Sequence, residues 1–202
     1  MTRIGVLALQ GDFAEHVSVL RRLGSEAQEV RRPEELSGLD GLIIPGGEST
    51  TISRLMAEYD LAEPLRDLAQ DSFPVWGTCA GMIVLAHRAT DLEWPTLAAL
   101  DITVRRNAFG RQVDSFETDL SVPALGAAPF RAVFIRAPSV EEVGEDVEVL
   151  AALEDGRVVA VRQRNALATA FHPELTDDDR FHNYFLELVR AREGGIRRDA
   201  SR

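Results

Sequence analysis

A single cysteine between two glycines is the part of this sequence best suited to covalent chemistry. Cys79 is the only cysteine among 202 residues, and Gly77 and Gly81 flank it in the pattern G-x-C-x-G. This pattern is typical of a nucleophile elbow, a sharp turn from a strand into a helix that exposes a reactive side chain. The neighbours must be small because the strand and the helix approach closely. The sequence therefore predicts a nucleophile at Cys79, with a small buried hydrophobic residue as the plainer alternative.

The same turn indicates how negative charge would be stabilised. A thiolate at Cys79 would stand at a helix N-terminus, where the aligned peptide dipoles favour negative charge. The backbone N–H of Ala80 would point to a developing oxyanion. A second donor is predicted in the loop 45–51, because its adjacent glycines after a buried strand let backbone N–H groups approach a ligand. An ordinary turn, with Ser49 or Thr50 capping the next helix, is compatible with this role.

A base and an orienting acid are predicted near the end of the chain. His172-Pro173-Glu174 follows the last apolar run, and side chains two residues apart lie on the same side of an extended segment. Glu174 can therefore accept a hydrogen bond from one ring nitrogen of His172, which leaves the other nitrogen to face Cys79. The alternative is a structural histidine at a strand end. The other three histidines all fall on predicted helices: His16, His87 and His182.

Two arginines near strand ends suggest how an anionic group would be held. The cationic segment 105–112 contains Arg106, and Arg136 stands at the end of an apolar run just before Ala137-Pro138. A guanidinium that lines a cleft can hold a carboxylate through two parallel hydrogen bonds. An exposed basic loop explains the first segment equally well.

These residues need a scaffold that brings distant strand ends together. Continuous apolar runs predict buried strands, and helical periodicity predicts helices between them. The predicted strands are 3–9, 27–30, 41–44, the strand before Cys79, 100–104, 113–120, 130–136, 147–153, 157–162 and 166–171. The predicted helices are 12–23 with Asp12 as its cap, 55–70 with a break or kink at Pro64, one after Cys79 and one after Thr176.

This alternation predicts an α/β fold: a three-layer sandwich with a mainly parallel central sheet and helices on both faces. In such sheets ligands bind at the carboxyl ends of the strands, and Gln10 stands at that edge of the first strand. The segment 100–165 is rich in strands and contains an Asp-Gly hairpin signal, so we expect it to add an antiparallel portion. The order of the strands stays open.

Composition limits the class of protein. One domain is expected over 1–192, followed by a disordered tail over 193–202. The net charge of −11 argues against non-specific binding to nucleic acid. One cysteine allows no internal disulfide, and the apolar run 3–9 is too short for a signal peptide or a membrane span. We therefore expect a cytoplasmic protein without membrane attachment. No ligand cluster has metal-site spacing, so neither a metal nor a cofactor is expected.

Three motifs together resemble the class I, triad-type glutamine amidotransferases: Gly77-Thr78-Cys79-Ala80-Gly81, the Pro45 to Thr50 loop and Phe171-His172-Pro173-Glu174. Further motifs are similar to those of one family within this class, the glutaminase subunits of pyridoxal 5′-phosphate synthase. They are Leu9-Gln10-Gly11, Arg32-Pro33, the Arg106 to Gln112 segment, Asp114-Ser115-Phe116-Glu117 and Phe134-Ile135-Arg136-Ala137-Pro138. The resemblance extends from Ile4 to about residue 190.

The resemblance implies a role for each matching residue. Cys79 would be the nucleophile, His172 the base and acid, and Glu174 the group that orients the imidazole. The backbone N–H groups of Gly47 and Ala80 would form the oxyanion hole. The residues implied to bind glutamine, or to lie beside it, are Gln10, Gly47, Glu48, Ser49, Arg106, Ile135 and Arg136.

The resemblance also implies an activity and a partner. The chain would hydrolyse L-glutamine to L-glutamate and ammonia, and pass the ammonia to a (β/α)₈-barrel synthase that makes pyridoxal 5′-phosphate. The family's assembly has twelve synthase and twelve glutaminase subunits. A glutaminase for a different synthase and a non-catalytic binding protein on the same fold are the alternatives.

Overall fold

The computed structural model describes the backbone of residues 1–108 and 115–199, and side chains up to residue 192 within those ranges. Its strands are β1 (Arg3–Leu7), β2 (Glu26–Val30), β3 (Gly41–Ile44), β4 (Val75–Thr78), β5 (Ala86–Thr90), β6 (Leu100–Arg105), β7 (Ser115–Leu120), β8 (Phe130–Ile135), β9 (Ser139–Val143), β10 (Glu148–Ala152), β11 (Val158–Gln163) and β12 (Ala166–Thr169). Its α-helices are α1 (Phe13–Arg22), α2 (Ser49–Glu58), α3 (Ala62–Gln70), α4 (Ala80–Leu85) and α5 (Arg180–Asp199).

A mainly parallel sheet forms the centre of the fold, as predicted. Its strand order is β2-β1-β3-β4-β12-β11-β9-β6-β5, with β10 paired to β11 beside this path. The five strands from β2 to β12 are parallel neighbours, so the carboxyl ends of β1, β3, β4 and β12 meet at one edge. This edge is where the sequence analysis expected the site.

The predicted antiparallel portion is also present. Strands β6, β9, β11 and β10 pair antiparallel in succession, and β10 and β11 are joined at the predicted Asp-Gly turn. Strands β7 and β8 form a separate antiparallel pair. Strands β5 and β9 were not predicted, and the prediction that His87 lies on a helix was wrong, because His87 lies on β5.

Helices cover both faces of the sheet, as the contacts of two consecutive residues of β4 show. Trp76 packs against His16 of α1 and against Phe181 and Phe185 of α5. Gly77, the next residue, faces Gly81 of α4. Because successive side chains of a strand point to opposite faces, α1 and α5 form one outer layer and α4 belongs to the other.

The helix predicted over 55–70 is in fact two helices, the first of which begins earlier. Between them Asp60 has a left-handed φ of 57°, and Pro64 lies in the first turn of α3, where a proline is tolerated. The cap of α2 is Glu48 rather than Ser49 or Thr50. The Glu48 carboxylate accepts hydrogen bonds from the backbone N–H groups of Thr50 and Thr51.

The C-terminal helix α5 continues to Asp199, beyond the predicted domain end at residue 192. Residues 200–202 lie outside the described part of the chain, and the division into a domain and a tail stays a prediction. No helix within the described residues is both long and apolar enough to cross a membrane.

Candidate active site

The turn between β4 and α4 has the geometry of a nucleophile elbow. Cys79 has the backbone angles φ 46° and ψ −103°, which L residues rarely adopt. Its N–H donates to the carbonyl oxygen of Thr169 on β12, at 2.8 Å, which fixes the turn to the next strand. A Cβ added at Gly81 would lie 2.0 Å from the backbone oxygen of Ile44. The two glycines of the motif are therefore required by close approach.

The helix after the elbow is short. Since α4 has six residues, the N–H groups of its first turn, rather than a long helix dipole, are what it offers to a negative charge. The Cys79 side chain is largely buried, and Sγ lies 3.8 Å from the carbonyl oxygen of Ile135.

His172 and Glu174 form the predicted hydrogen-bonded pair, although the backbone between them differs from the expectation. The N–H of His172 donates to Val133 of β8 at 2.9 Å, and Pro173–Leu175 form a 3₁₀ turn rather than an extended segment. Nδ1 of His172 nevertheless lies 2.8 Å from Oε1 of Glu174, and both side chains are buried. Nδ1 is thus engaged, which leaves Nε2 as the nitrogen for Cys79.

Asp12 lies beside His172, although the sequence predicted it only as a helix cap. Its Oδ2 lies 3.3 Å from Nδ1 of His172, and its side chain makes no capping hydrogen bond to α1. The signal available in the sequence was its position, two residues after Gln10 at the carboxyl end of β1. Asp12 is half-exposed at the edge of the site, whereas Glu174 is buried beneath it.

These neighbours decide the protonation of the base. Burial acts to lower the pKa of His172. Hydrogen bonds with Asp12, Cys79 and Glu174 outweigh burial and raise that pKa to about 12. Burial raises the pKa of Glu174, and the hydrogen bond with His172 opposes the rise. The site therefore favours a proton on the imidazole beside the thiol.

The glycine loop after β3 is held against the loop after β1. Oε1 of Gln10 accepts a hydrogen bond from the N–H of Glu48 at 2.7 Å, and the N–H of Asp12 donates to Gly46 at 3.1 Å. Gly47 has a φ of 154°, and a Cβ there would lie 2.5 Å from Oε1 of Gln10. Gln10 thus fixes the loop that contains the predicted oxyanion donor.

Glu48 and Arg106 pair with each other at the mouth of the site. Nη2 of Arg106 lies 3.1 Å from Oε1 of Glu48, and Nη1 donates to the carbonyl oxygen of Asp91. Partial burial acts to raise the pKa of Glu48, but hydrogen bonds from Thr51 and Thr50 outweigh it and hold the pKa below its ordinary value. Glu48 is therefore an anion that both caps α2 and anchors Arg106.

All the predicted site residues except Glu174, which is buried behind His172, line one cavity of about 460 Å³. Arg136 lines it with a left-handed φ of 44°. Four further residues line it and were not predicted as site residues: Gly11, Asp12, Ile83 and Asn107. The predicted residues in the lining are Gln10, Gly47, Glu48, Ser49, Cys79, Ala80, Arg106, Ile135, Arg136 and His172. Residues 109–114 lie outside the described residues; they include the end of the Arg106 to Gln112 motif, Asp114 of a second family motif and the start of the predicted strand 113–120.

One group of ligand-type side chains within the described ranges is close enough to hold a metal ion: Asp12, His172 and Glu174, whose ligand atoms lie within 4.8 Å of one another. Sequence spacing gave no sign of this group, because the fold brings Asp12 to the other two. Since Nδ1 of His172 and Oε1 of Glu174 already hydrogen-bond to each other, the arrangement fits an acid–base pair.

Comparison with known proteins agrees with this geometry. Residues 6–191 match the model of the SNO glutamine amidotransferase family. A relative from Dehalococcoides mccartyi, named pyridoxal 5′-phosphate synthase subunit PdxT, is 62% identical over 93% of this chain and 97% of its own. A relative of the same name from Corynebacterium jeikeium is 59% identical over 94% of this chain and 97% of its own.

Solved structures give the same result at the level of the fold. A structure described as a glutamine amidotransferase superposes with a TM-score of 0.86 at 54% identity, and covers 92% of this chain and 98% of its own. A putative GMP synthase protein from Thermoplasma acidophilum has a TM-score of 0.69 at 21% identity, covering 97% of this chain and 98% of its own. The second likeness shows the fold alone.

Proposed function

Because the chain belongs to the SNO glutamine amidotransferase family, we propose that it hydrolyses L-glutamine to L-glutamate and ammonia as the glutaminase subunit of a pyridoxal 5′-phosphate synthase. The observation that carries this proposal is the elbow cysteine in one cavity with a buried, hydrogen-bonded His172–Glu174 pair behind it. A nucleophile, a base and an orienting acid are the three parts that acyl transfer through a thioester needs.

In the proposed reaction, Cys79 attacks the side-chain amide carbon of glutamine as a thiolate, after its proton has passed to His172. The carbon–nitrogen bond then breaks, and His172 returns the proton to the leaving nitrogen, which departs as ammonia. A water molecule attacks the resulting thioester with His172 as its base, which releases glutamate and the free thiol. Glu174 holds the imidazole in the required tautomer and stabilises the imidazolium.

The oxyanion that forms at each attack is assigned to the backbone N–H groups of Gly47 and Ala80. Ala80 is the first residue of α4, so its N–H has no partner within the helix. Gly47 stands in the loop that Gln10 holds beside the site through the N–H of Glu48. Fixed donors of this kind stabilise charge that develops only in the transition state.

Substrate binding is assigned to the rest of the cavity. The two charged ends of free glutamine need a carboxylate and guanidinium groups, which Glu48, Arg106 and Arg136 supply at the mouth. Glu48 and Arg106 already form an ion pair with each other. Bound glutamine would therefore add its two charged groups to this existing ion pair. Ser49 and the backbone of Gly47 and Ile135 complete the predicted contacts.

The partner is a synthase subunit of the same enzyme, since the relatives are named as subunits of a pyridoxal 5′-phosphate synthase. We further propose that this partner is a (β/α)₈ barrel that receives the ammonia directly, in an assembly of twelve plus twelve subunits. A cytoplasmic location belongs to the same proposal. The net charge of −11 suits docking on a basic partner surface.

The test measures glutamate release from glutamine by the chain alone and in the presence of the synthase partner. We expect strong stimulation by the synthase and its loss in Cys79→Ala, because no other thiol exists in the chain. Wild-type release by Cys79→Ala would overturn the mechanism. A different synthase, such as that of histidine or guanine-nucleotide synthesis, could activate the chain where the pyridoxal 5′-phosphate synthase does not. That result would assign the chain to a different complex.

A further inference from the structure

Two buried histidines, in contact with each other, lie behind Glu174, the acid of the proposed triad. Nε2 of His16 lies 3.3 Å from Oε2 of Glu174 and 3.2 Å from Oγ1 of Thr78. Nδ1 of His16 lies 3.0 Å from Nε2 of His182. His16, Thr78 and His182 are completely buried, and so is the side chain of Glu174. The proposed mechanism uses neither histidine.

Glu174 needs a second donor. Its Oε1 is bound to His172, whereas Oε2 is buried and has no well-aligned hydrogen bond among the described residues. A buried carboxylate oxygen without a donor destabilises the ionised form. Nε2 of His16, at 3.3 Å, is the group placed to supply the donor. Catalytic hydrogen bonds are often long before the substrate binds and shorten in the complex.

Both histidines are neutral, which makes the position of each proton decisive. Burial lowers the pKa of His16 well below its ordinary value, and electrostatic interactions with the rings of His182 and His172 act in the same direction. Burial likewise lowers the pKa of His182 to about 4. Each ring therefore carries one N–H, and one of the two facing nitrogens must donate to the other.

Only one arrangement of these protons serves Glu174. If Nδ1 of His16 carried the proton, its Nε2 lone pair would face the Glu174 carboxylate, and two acceptors would meet in a buried site. If Nε2 carries the proton, it points to Oε2 of Glu174 and to Thr78, and Nδ1 accepts from Nε2 of His182. His182 then has its lone pair on Nδ1, the atom that is buried without a partner among the described residues.

The geometry points to His16 as a positioning residue for the proposed glutaminase reaction: its Nε2–H donates to Glu174, in a tautomer fixed by His182, and thereby keeps Glu174 ionised and aimed at His172. This inference deepens the proposed function and rests on it. His16 also connects Glu174 with the turn that contains Cys79, because Thr78, the residue before Cys79, contacts the same nitrogen of His16.

A purely structural role for His16 makes different predictions. His16 also packs edge-on against Trp76, with ring centroids 5.6 Å apart, so it fills space in the core. A space-filling ring has no required tautomer, and its loss would change stability without a selective change in kcat.

The first test is the tautomer, measured by ¹⁵N NMR on the wild-type full chain with ¹⁵N-labelled histidine. We expect His16 to be neutral with its proton on Nε2 throughout the pH range in which the chain is folded. A proton on Nδ1, or a charged ring at neutral pH, would overturn the inference. This measurement needs no variant and no activity.

The second test compares two polar variants in the complex with the synthase subunit. In His16→Gln the side-chain amide reaches the position of Nε2 and can still donate to Glu174, whereas in His16→Asn the shorter amide reaches only the position of Nδ1. We expect His16→Asn to lower kcat by about 10- to 100-fold, by analogy with the loss of outer-shell partners that orient metal ligands in the same indirect way. Its KM for glutamine should not change, and His16→Gln should retain most of the activity.

His87→Gln is the control for the loss of a histidine, because His87 is exposed on β5 at the far end of the sheet. Equal kcat values for His16→Asn, His16→Gln and the wild type would overturn the inference and leave the proposed function intact. A wild-type complex that releases no glutamate would overturn the proposed function and, with it, this role of His16.

Discussion

Two carboxylates meet the same nitrogen of His172. Glu174 approaches Nδ1 at 2.8 Å from within the protein, and Asp12 approaches it at 3.3 Å from the edge of the cavity. Both favour the imidazolium, and together with Cys79 they raise the pKa of His172 although burial opposes charge. Only Glu174 is enclosed and supported from behind by His16. We therefore expect Asp12 to adjust the basicity of the site and Glu174 to fix its geometry.

Replacing Asp12 by Asn should separate these two effects. The imidazolium of His172 loses one of its anionic neighbours, so its pKa falls. We expect the alkaline limb of kcat/KM for glutamine, measured with the synthase subunit, to move to lower pH by about one pH unit. Glu174→Gln should lower the same pKa and also reduce kcat, because it removes the orienting group. An alkaline limb that Asp12→Asn leaves in place would show that Asp12 does not act on His172.

The elbow depends on how closely α4 approaches two strands. Gly77 of β4 faces Gly81, and Gly81 in turn faces the backbone of Ile44 on β3. A side chain at either glycine would force α4 away from the sheet and displace Cys79 from His172. Backbone atoms cannot move aside as a flexible side chain can, so substitution here should affect the whole element.

Gly81→Ala should therefore destabilise the fold by roughly 3 kcal/mol, the upper end of the cost of overpacking a core. The free energy of unfolding in urea measures this, with circular dichroism as the signal. Gly156→Ala is the control, because a Cβ there meets no atom within 4 Å and only its left-handed φ of 85° opposes the change. Gly81 itself lies within α4 and has no left-handed φ, so equal losses in the two variants would contradict the contact with Ile44 as the reason for the glycine at position 81.

The buried contact between His16 of α1 and His182 of α5 should make the free energy of unfolding depend on pH. His182 has a pKa of about 4 in the folded chain against an ordinary value of 6.5. The unfolded chain takes up a proton below pH 6.5 that the folded chain does not, so the stabilisation is complete above pH 6.5 and is lost as the pH falls towards 4. For His182 alone this loss is at most about 3 kcal/mol.

His182→Gln should reduce this pH dependence, because the amide can still donate to His16 and does not titrate. Urea unfolding of the full chain at several pH values between 7 and 4.5 measures the difference. We expect the free energy of unfolding to fall less steeply in the variant than in the wild type. Parallel curves would contradict a neutral, buried His182.

At the scale of the whole molecule, one sheet edge collects the site. Strands β1, β3, β4 and β12 are adjacent and parallel, so the loops after them place Gln10, Gly47, Cys79 and His172 around one cavity. The antiparallel strands add Ile135 and Arg136 from the end of β8. On the opposite side of the sheet from α4, α5 buries Phe181, Phe185 and Val189. This helix thus supports the layer that contains His16 and Glu174.

A chain ended after Arg192 should keep the fold and the stimulated glutaminase activity. The buried side chains of α5 precede this position, and the Arg192 guanidinium still lies over the ring of Phe73, 5.6 Å from its centre. The thermal unfolding midpoint and glutamate release with the synthase subunit measure the outcome. A chain ended after residue 183, which lacks Phe185 and Val189, should be unfolded, since each large buried side chain contributes about 2–5 kcal/mol. Loss of folding in the longer chain would contradict a domain that ends at 192.

The sequence by itself determined the parts whose cause is local. The elbow glycines, the Gly46-Gly47 loop and the His172-Pro173-Glu174 segment were identified because close approach, a tight turn or a hydrogen bond over two residues restricts the residue types at adjacent positions. Strong apolar runs likewise predicted the buried strands and the α/β class. The expected extended backbone at Pro173 was wrong, since a 3₁₀ turn also brings His172 and Glu174 together.

Only the tertiary structure decided which distant residues meet. Asp12 looked like a helix cap, His16 and His182 looked like ordinary helical residues, and Glu48 looked like a free substrate ligand. Asp12 instead contacts His172, the two histidines stand behind Glu174, and Glu48 caps α2 and holds Arg106. His182 lies 166 residues from His16 in the chain, and Arg106 lies 58 residues from Glu48. Pairing over such distances follows from strand order and layer packing, which leave no periodic pattern in the sequence.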